Sequence, residues 1–270
     1  MEFNGDKFEC VRFRADKKSD EESPITYVNE EGEDIEEKEH LKDLGVQLSS
    51  DLTFSKHITK TLATCSKTVG WIMRTFRTRS KGTMKVLWNS MVQSRLDYCS
   101  QLWSPSLQVD INKIEDVQRH FTKKIEGMED VPYSERLKKL NMYSQERRRD
   151  RYMCILIWKI SMGLVSGYKL EFKGEGTRRG RECEVAEIVG AAPAGVRRAR
   201  ESSLSVKGAK MFNLLPAHIR NINGQKVDQF KTKLDAFLQL IPDQPTLPGE
   251  GRAAETNCLL HQIPMAIRTT

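Results

Sequence analysis

The spacing of apolar residues divides the chain. Up to residue 50 the apolar positions alternate or come in short runs: Phe8-Glu9-Cys10-Val11-Arg12-Phe13, then Ile25-Thr26-Tyr27-Val28 ahead of an Asn29–Gly32 turn region, then Leu44-Gly45-Val46-Gln47-Leu48. These predict three short strands, with Lys17–Glu22 and Glu30–Glu39 between them as solvated charge runs. From Ser55 the period becomes helical. Ile58, Leu62, Cys65, Val69, Ile72 and Phe76 are spaced 4, 3, 4, 3 and 4 and share one stripe, while Lys56, Lys60, Lys67 and Arg74 fall opposite. Ser55 is placed to cap this helix, and Arg77, Arg79 and Lys81 load its C-terminal end, where cations oppose the helix dipole.

Further helices are predicted over about Thr83–Trp103, stopped by Ser104-Pro105, over Asp110–Ile125, closed by Gly127, and over Pro132–Leu140. A longer one, Ser144–Leu164, opens with Gln145-Glu146-Arg147-Arg148-Arg149-Asp150-Arg151 and turns apolar nearly all round, so it should be the most buried. Gly163–Gly195 holds seven glycines and Arg178-Arg179-Gly180-Arg181, the composition of a mobile loop or linker. Order returns at Ser205–Leu215, stops at Pro216 and resumes over Val227–Leu238; four prolines and little periodicity make 242–270 a tail. The reading is a mainly α chain with a small N-terminal β part, an α+β fold.

Charge is distributed unevenly. Residues 1–50 hold 7 Lys+Arg against 15 Asp+Glu, and the remaining 220 hold 37 against 22. Such a basic second part attracts polyanions, nucleic acid foremost. The lysine stripe after Ser55 is either an ordinary solvated face or a phosphate-contacting one; no acidic residue lies between Asp51 and Asp97 to neutralise it. Arg147, Arg148, Arg149 and Arg151 have the same two readings, the phosphate-contacting one weakened because Glu146 and Asp150 are available as partners. Trp71, Trp88, Trp103 and Trp158 lie in or beside apolar stripes and read as core anchors, base stacking being the alternative.

The inventory of chemistry is short. Metal-assisted nucleotide addition needs clustered carboxylates to clamp its ions, and the chain has no Asp-Asp dipeptide. Glycine-rich phosphate loops, Gly-x-Ser-x-Gly and His-Glu-x-x-His are absent, the five histidines are dispersed, and the six cysteines form no C-x-x-C pair. Cys258-x-x-His261 has no second pair nearby. No catalytic residue, metal ligand or small-molecule substrate is assigned. No apolar run reaches the ~18 residues of a membrane span and no signal peptide opens the chain, so an intracellular protein, nuclear or cytoplasmic, is expected.

Two longer strings, Lys42-Asp43-Leu44-Gly45-Val46-Gln47-Leu48-Ser49-Ser50-Asp51-Leu52-Thr53-Phe54-Ser55-Lys56-His57-Ile58 and Leu96-Asp97-Tyr98-Cys99-Ser100-Gln101-Leu102-Trp103-Ser104-Pro105, occur in that order. With Met1–Val11, Ile72–Arg79, Tyr133–Leu140, Val206–Pro216 and Phe230–Asp235, they resemble the reverse transcriptase of LINE-type (non-LTR) retrotransposons of the jockey/CR1 kind. Gly163–Gly195 departs most from that pattern. The resemblance implies remnant palm strands over 1–54, a thumb-like helical bundle over 55–165, a flexible basic, glycine-rich linker over 166–204, a C-terminal helical extension over 205–241 and a tail over 242–270. It also implies that the chain starts after the family's Phe/Tyr-Ala-Asp-Asp turn, so that Mg²⁺ belongs to the full-length polymerase and this piece is polymerase-incompetent alone. On that view Lys56, Lys60, Lys67, Arg74, Arg77, Arg79, Lys81, Arg147, Arg148 and Arg151 meet the backbone of RNA or an RNA/DNA duplex weakly and without sequence preference, or the chain joins other parts of such a polymerase. A different reading makes it a helical interaction module or a remnant without nucleic-acid binding, with the Cys65/Val69/Ile72/Phe76 and Trp88/Leu102 faces buried against another chain.

Overall fold

The computed structural model describes residues 8–13, 26–29, 32–168, 170, 185, 194–220, 225–245 and 257–269. The fold is mainly α with two small antiparallel sheets near the N-terminus. One sheet pairs β1 (Tyr27–Val28) with β2 (Asp34–Ile35), and Phe8–Phe13 contributes a single parallel bridge from Cys10 to Glu37. The other is a hairpin of β3 (His40–Asp43) and β4 (Val46–Ser49), in register from His40 opposite Ser49 to Asp43 opposite Val46. Its two turn residues, Leu44 and Gly45, both have positive φ (45° and 90°). That twist suits a two-residue hairpin turn. Leu44-Gly45, read from sequence as the start of a strand, is therefore the turn, and the polar His40–Asp43 segment is a strand because β4 supplies its partner.

Helix α1 (Ser55–Thr75) carries the apolar stripe as read: Ile58, Cys65 and Ile72 are buried, with Leu62, Val69 and Phe76 packed against the same core. Ser55 does not cap it. Phe54 occupies the cap position without a side-chain bond, and Ser55 Oγ instead donates to Asp110 Oδ2 at 2.8 Å. The single helix expected over Thr83–Trp103 is three pieces: α2 (Lys81–Leu87), a π-helical turn at Trp88–Gln93 and α3 (Ser94–Asp97). Cys99 then takes φ 49°, which turns Leu102 outward while Trp103 stays buried. Helices α4 (Gln108–Lys123) and α5 (Tyr133–Leu140) complete this first core around Trp88, Ile114 and Phe121.

Helix α6 (Gln145–Ser161), capped by Ser144 Oγ accepting from the Arg147 N–H, serves two cores. Its first turn joins a buried amide network. Gln145 Nε2 donates to Gln93 Oε1 (2.8 Å) and to Gln118 Oε1, Trp88 Nε1 donates to Gln93 (2.9 Å), and Gln118 Nε2 donates to the Tyr143 carbonyl (2.9 Å). Its second half enters a second core with α8 (Ala209–Leu214), α10 (Val227–Leu238) and α11 (Leu259–Thr269), where Trp158 stacks on Phe230 at 4.8 Å.

Two expectations on the C-terminal side need correction. Residues 194–202, placed in a flexible linker, form helix α7 (Ala194–Ser202), followed by a π-helical turn at Leu204–Gly208; Arg178, Arg179 and Arg181 lie outside the described residues. The supposed tail contains α11, whose Leu259 and Ile263 are fully buried in the second core. Pro264 inside that helix hides its period from sequence reading. A short helix α9 (Ala217–Arg220) follows Pro216.

Candidate nucleic-acid interface

Burying one stripe of α1 fixes which way the opposite stripe faces. Lys56, Lys60, Lys67 and Arg74 are exposed along it, and Arg77 and Lys81 continue the exposed cations past its C-terminus. None of these six forms a salt bridge among the described residues. The stripe extends ~27 Å from Lys56 to Arg74 at 1.5 Å per residue. Its charges are free to meet a polyanion.

Arg79 has other work. Its guanidinium donates to the Met73 carbonyl at 2.6 Å and to the Phe76 carbonyl, closing the C-terminal end of α1. Lys85 does the same for α5, donating to the carbonyls of Leu140 (2.8 Å) and Asn141 (3.2 Å).

The arginines of α6 are not available to phosphate. Arg147 is fully buried and donates to the carbonyls of Leu238 (3.5 Å), Ile241 (3.2 Å) and Pro242 (2.8 Å) and to Gln262 Oε1 (3.2 Å). Arg148 holds Asp97 and Arg151 holds Asp235, each through two guanidinium nitrogens. Sequence reading placed all three on a polyanion-binding surface; they instead tie α6 to the segments on either side. Arg149, also buried, sits over the Trp103 ring at 4.0 Å and donates to the Leu96 carbonyl. The local acids Glu146 and Asp150 gave no hint of this, because the carboxylates concerned are 51 and 84 residues away in sequence.

Trp71 also departs from expectation. Trp88, Trp103 and Trp158 are wholly buried, but Trp71 is 44% exposed. It falls four residues after Lys67 and three before Arg74, on the cationic stripe and out of phase with Ile72. That phase was present in the sequence; proximity to the apolar stripe concealed it. Phe76 meets its ring edge-to-face at 5.8 Å.

Titratable groups elsewhere serve the fold. Burial pushes the Glu115 carboxyl up to about 7, although the Tyr133 hydroxyl and the Gln145 N–H (2.8 Å) both donate to it. Burial, then the charges of Arg149 and Lys60, hold His57 below the ordinary imidazole range; its Nδ1 accepts from the Gln47 N–H and its ring meets Trp103 edge-on at 4.9 Å. Asp150 is buried and accepts from Lys207 Nζ (2.9 Å) and the Leu259 N–H (3.0 Å). A cleft of about 490 Å³ between α5, α6 and α10 is lined by Arg148, Arg151 and Asp235, and these charges are already matched, Arg151 by Asp235 and Arg148 by Asp97.

Among the described residues no three His, Cys, Asp or Glu side chains gather closely enough to hold a metal ion, so no step through Mg²⁺ is assigned to them. No described helix is long and apolar enough to cross a membrane. The two strings that carry the reverse-transcriptase resemblance meet in space: Tyr98 Oη donates to the Leu44 carbonyl at 2.7 Å, and Trp103 Nε1 donates to the Tyr98 carbonyl at 2.7 Å. Comparison with known proteins brings no match: no family model, curated protein or solved structure is similar to the chain.

Proposed function

We propose that this chain is the palm-end and thumb portion of a LINE-type reverse transcriptase whose own capacity is sequence-independent binding of an RNA or RNA/DNA backbone. The observation that carries the proposal is the exposed, unpaired cation row Lys56, Lys60, Lys67, Arg74, Arg77 and Lys81 on a helix whose other face is locked in the core. A row so mounted neutralises phosphates and follows the shape of a duplex without reading its bases. Supporting the family reading are the two characteristic strings, which fold into one contact through Tyr98 and Leu44. The described residues supply no carboxylate clamp of their own, so polymerisation would need a partner bearing one.

The helical interaction module requires free apolar faces. Cys65, Ile72 and Trp88 are already buried in the chain's own core, although Leu102 is 56% exposed. A gel shift of an RNA/DNA duplex across a salt series separates the readings. Binding that weakens steeply with salt supports the thumb reading; no shift at low salt leaves the interaction module. Primer extension with Mg²⁺ or Mn²⁺ tests the polymerase directly, and no product is expected.

A further inference from the structure

We propose that Trp71 is a stacking platform for an unpaired base, so that the α1 face takes a single-stranded segment of nucleic acid as well as a duplex backbone. The inference rests on the nucleic-acid reading above and adds the class of strand.

Three observations converge on it. First, the indole is exposed where burial was available: one residue further on, Ile72 is fully buried. An apolar ring left in water at that position is an unspent source of binding free energy. Second, Trp71 stands between Lys67 one turn before it and Arg74 one turn after, with Thr68 and Thr75 as its other helix-surface neighbours. A protein-docking centre would be ringed by apolar residues and depleted of lysine. Cations flanking an aromatic ring instead match the combination that holds single strands, in which phosphates meet the charges and bases stack on the ring. Third, Phe76 meets the ring edge-to-face, which restrains the indole and lowers the entropy lost when a base settles on it. In a paired duplex the bases are stacked on one another, so Trp71 would contribute only where the strand is unpaired: a template overhang or a frayed primer end.

The test uses intrinsic fluorescence of the full chain. Of its four tryptophans only Trp71 is accessible to solvent. A short oligothymidylate and a blunt duplex of equal charge are titrated at low salt. Quenching of the acrylamide-accessible emission by the single strand, with little quenching by the bound duplex, is expected. Trp71→Ala should weaken oligothymidylate binding between about 5-fold and about 150-fold, leaving the salt slope and the duplex affinity as they were, and Trp71→Phe should restore most of the loss. Trp71 is 44% exposed, so its truncation should leave the fold intact, and an unchanged melting curve verifies that. If Trp71→Ala binds the single strand like the unmodified chain while duplex binding persists, the platform is overturned and the backbone reading stands. If neither nucleic acid binds at low salt, both fall.

Discussion

Arg148 grips Asp97 across 51 residues of sequence, Nε to Oδ1 at 3.0 Å and Nη2 to Oδ2 at 2.7 Å. Tyr152 Oη donates to the same carboxylate at 3.1 Å, and Gln93 Nε2 does so at 2.7 Å. The pair fastens α6 to the end of α3, where the chain turns through Tyr98 and Cys99 toward Trp103. Arg148→Ala should therefore lower unfolding free energy by about 2 kcal/mol, the range for a hydrogen bond to a charged group. Nucleic-acid affinity and its salt slope should not change. Chemical denaturation alongside a binding titration checks both halves of the statement.

Arg147 performs the same service for the C-terminal side. With its side chain truncated, three carbonyls around Leu238–Pro242 and Gln262 Oε1 lose their donor inside the protein. Arg147→Ala is expected to cost about 3 kcal/mol and to release α11 first, because unmade buried hydrogen bonds are costly. Arg147→Lys should not rescue it, since one ammonium cannot reproduce the planar fork. Limited proteolysis should show new cleavage between α10 and α11.

Stability should depend on pH through groups of opposite sign. Glu115 has a folded-state pKa raised from 4.5 to about 7, so the folded protein holds a proton that the unfolded chain has released. Its contribution is full below pH 4.5 and is lost as pH rises through 7, roughly 3 kcal/mol in all. His57 has a lowered folded-state pKa, so the unfolded chain takes up the proton first. Its contribution is present above the ordinary imidazole pKa and is lost as pH falls below it. Glu115→Gln should remove its own share of the loss on the alkaline side, leave the share of Glu146, whose carboxyl burial and the neighbouring Asp150 push up to about 8, and leave the acid-side loss intact. Urea unfolding at a series of pH values resolves the two.

Gly208 gives a packing test. A Cβ there would come within 3.0 Å of Leu204 and 3.1 Å of Ile157 and Met153. Gly208→Ala should destabilise by about 1–3 kcal/mol through overpacking rather than stabilise a helix by propensity. Thermal unfolding of the variant reads the sign.

The parts of this molecule legible in its sequence are those governed by local period. The stripe from Ile58 to Phe76 sets both the core face and the cationic face of α1, and the helical spacing of Phe230, Leu234, Phe237 and Leu238 marks α10. The parts misread are governed by distant partners. His40–Asp43 is a strand because Val46–Ser49 pairs with it, and Arg148 and Arg151 are internal because Asp97 and Asp235 come to meet them. Helix α11 escapes because Pro264 breaks the sequence signal while Leu259 and Ile263 still find the second core. Trp71 is the opposite case: its phase with Lys67 and Arg74 was readable, and its chemistry as a core residue outweighed it.

The central claim is that the exposed row on α1 engages phosphates. Its most direct test is the dependence of binding on salt, measured as log K against log salt for an RNA/DNA duplex, with the unmodified chain beside the Lys56→Gln, Lys60→Gln, Lys67→Gln, Arg74→Gln variant. With six cations in contact the slope should approach about −5, and removing four should leave it near −2 at equal fold stability. A slope that is the same in both proteins, or an unmodified chain that binds no duplex at low salt, would contradict the account.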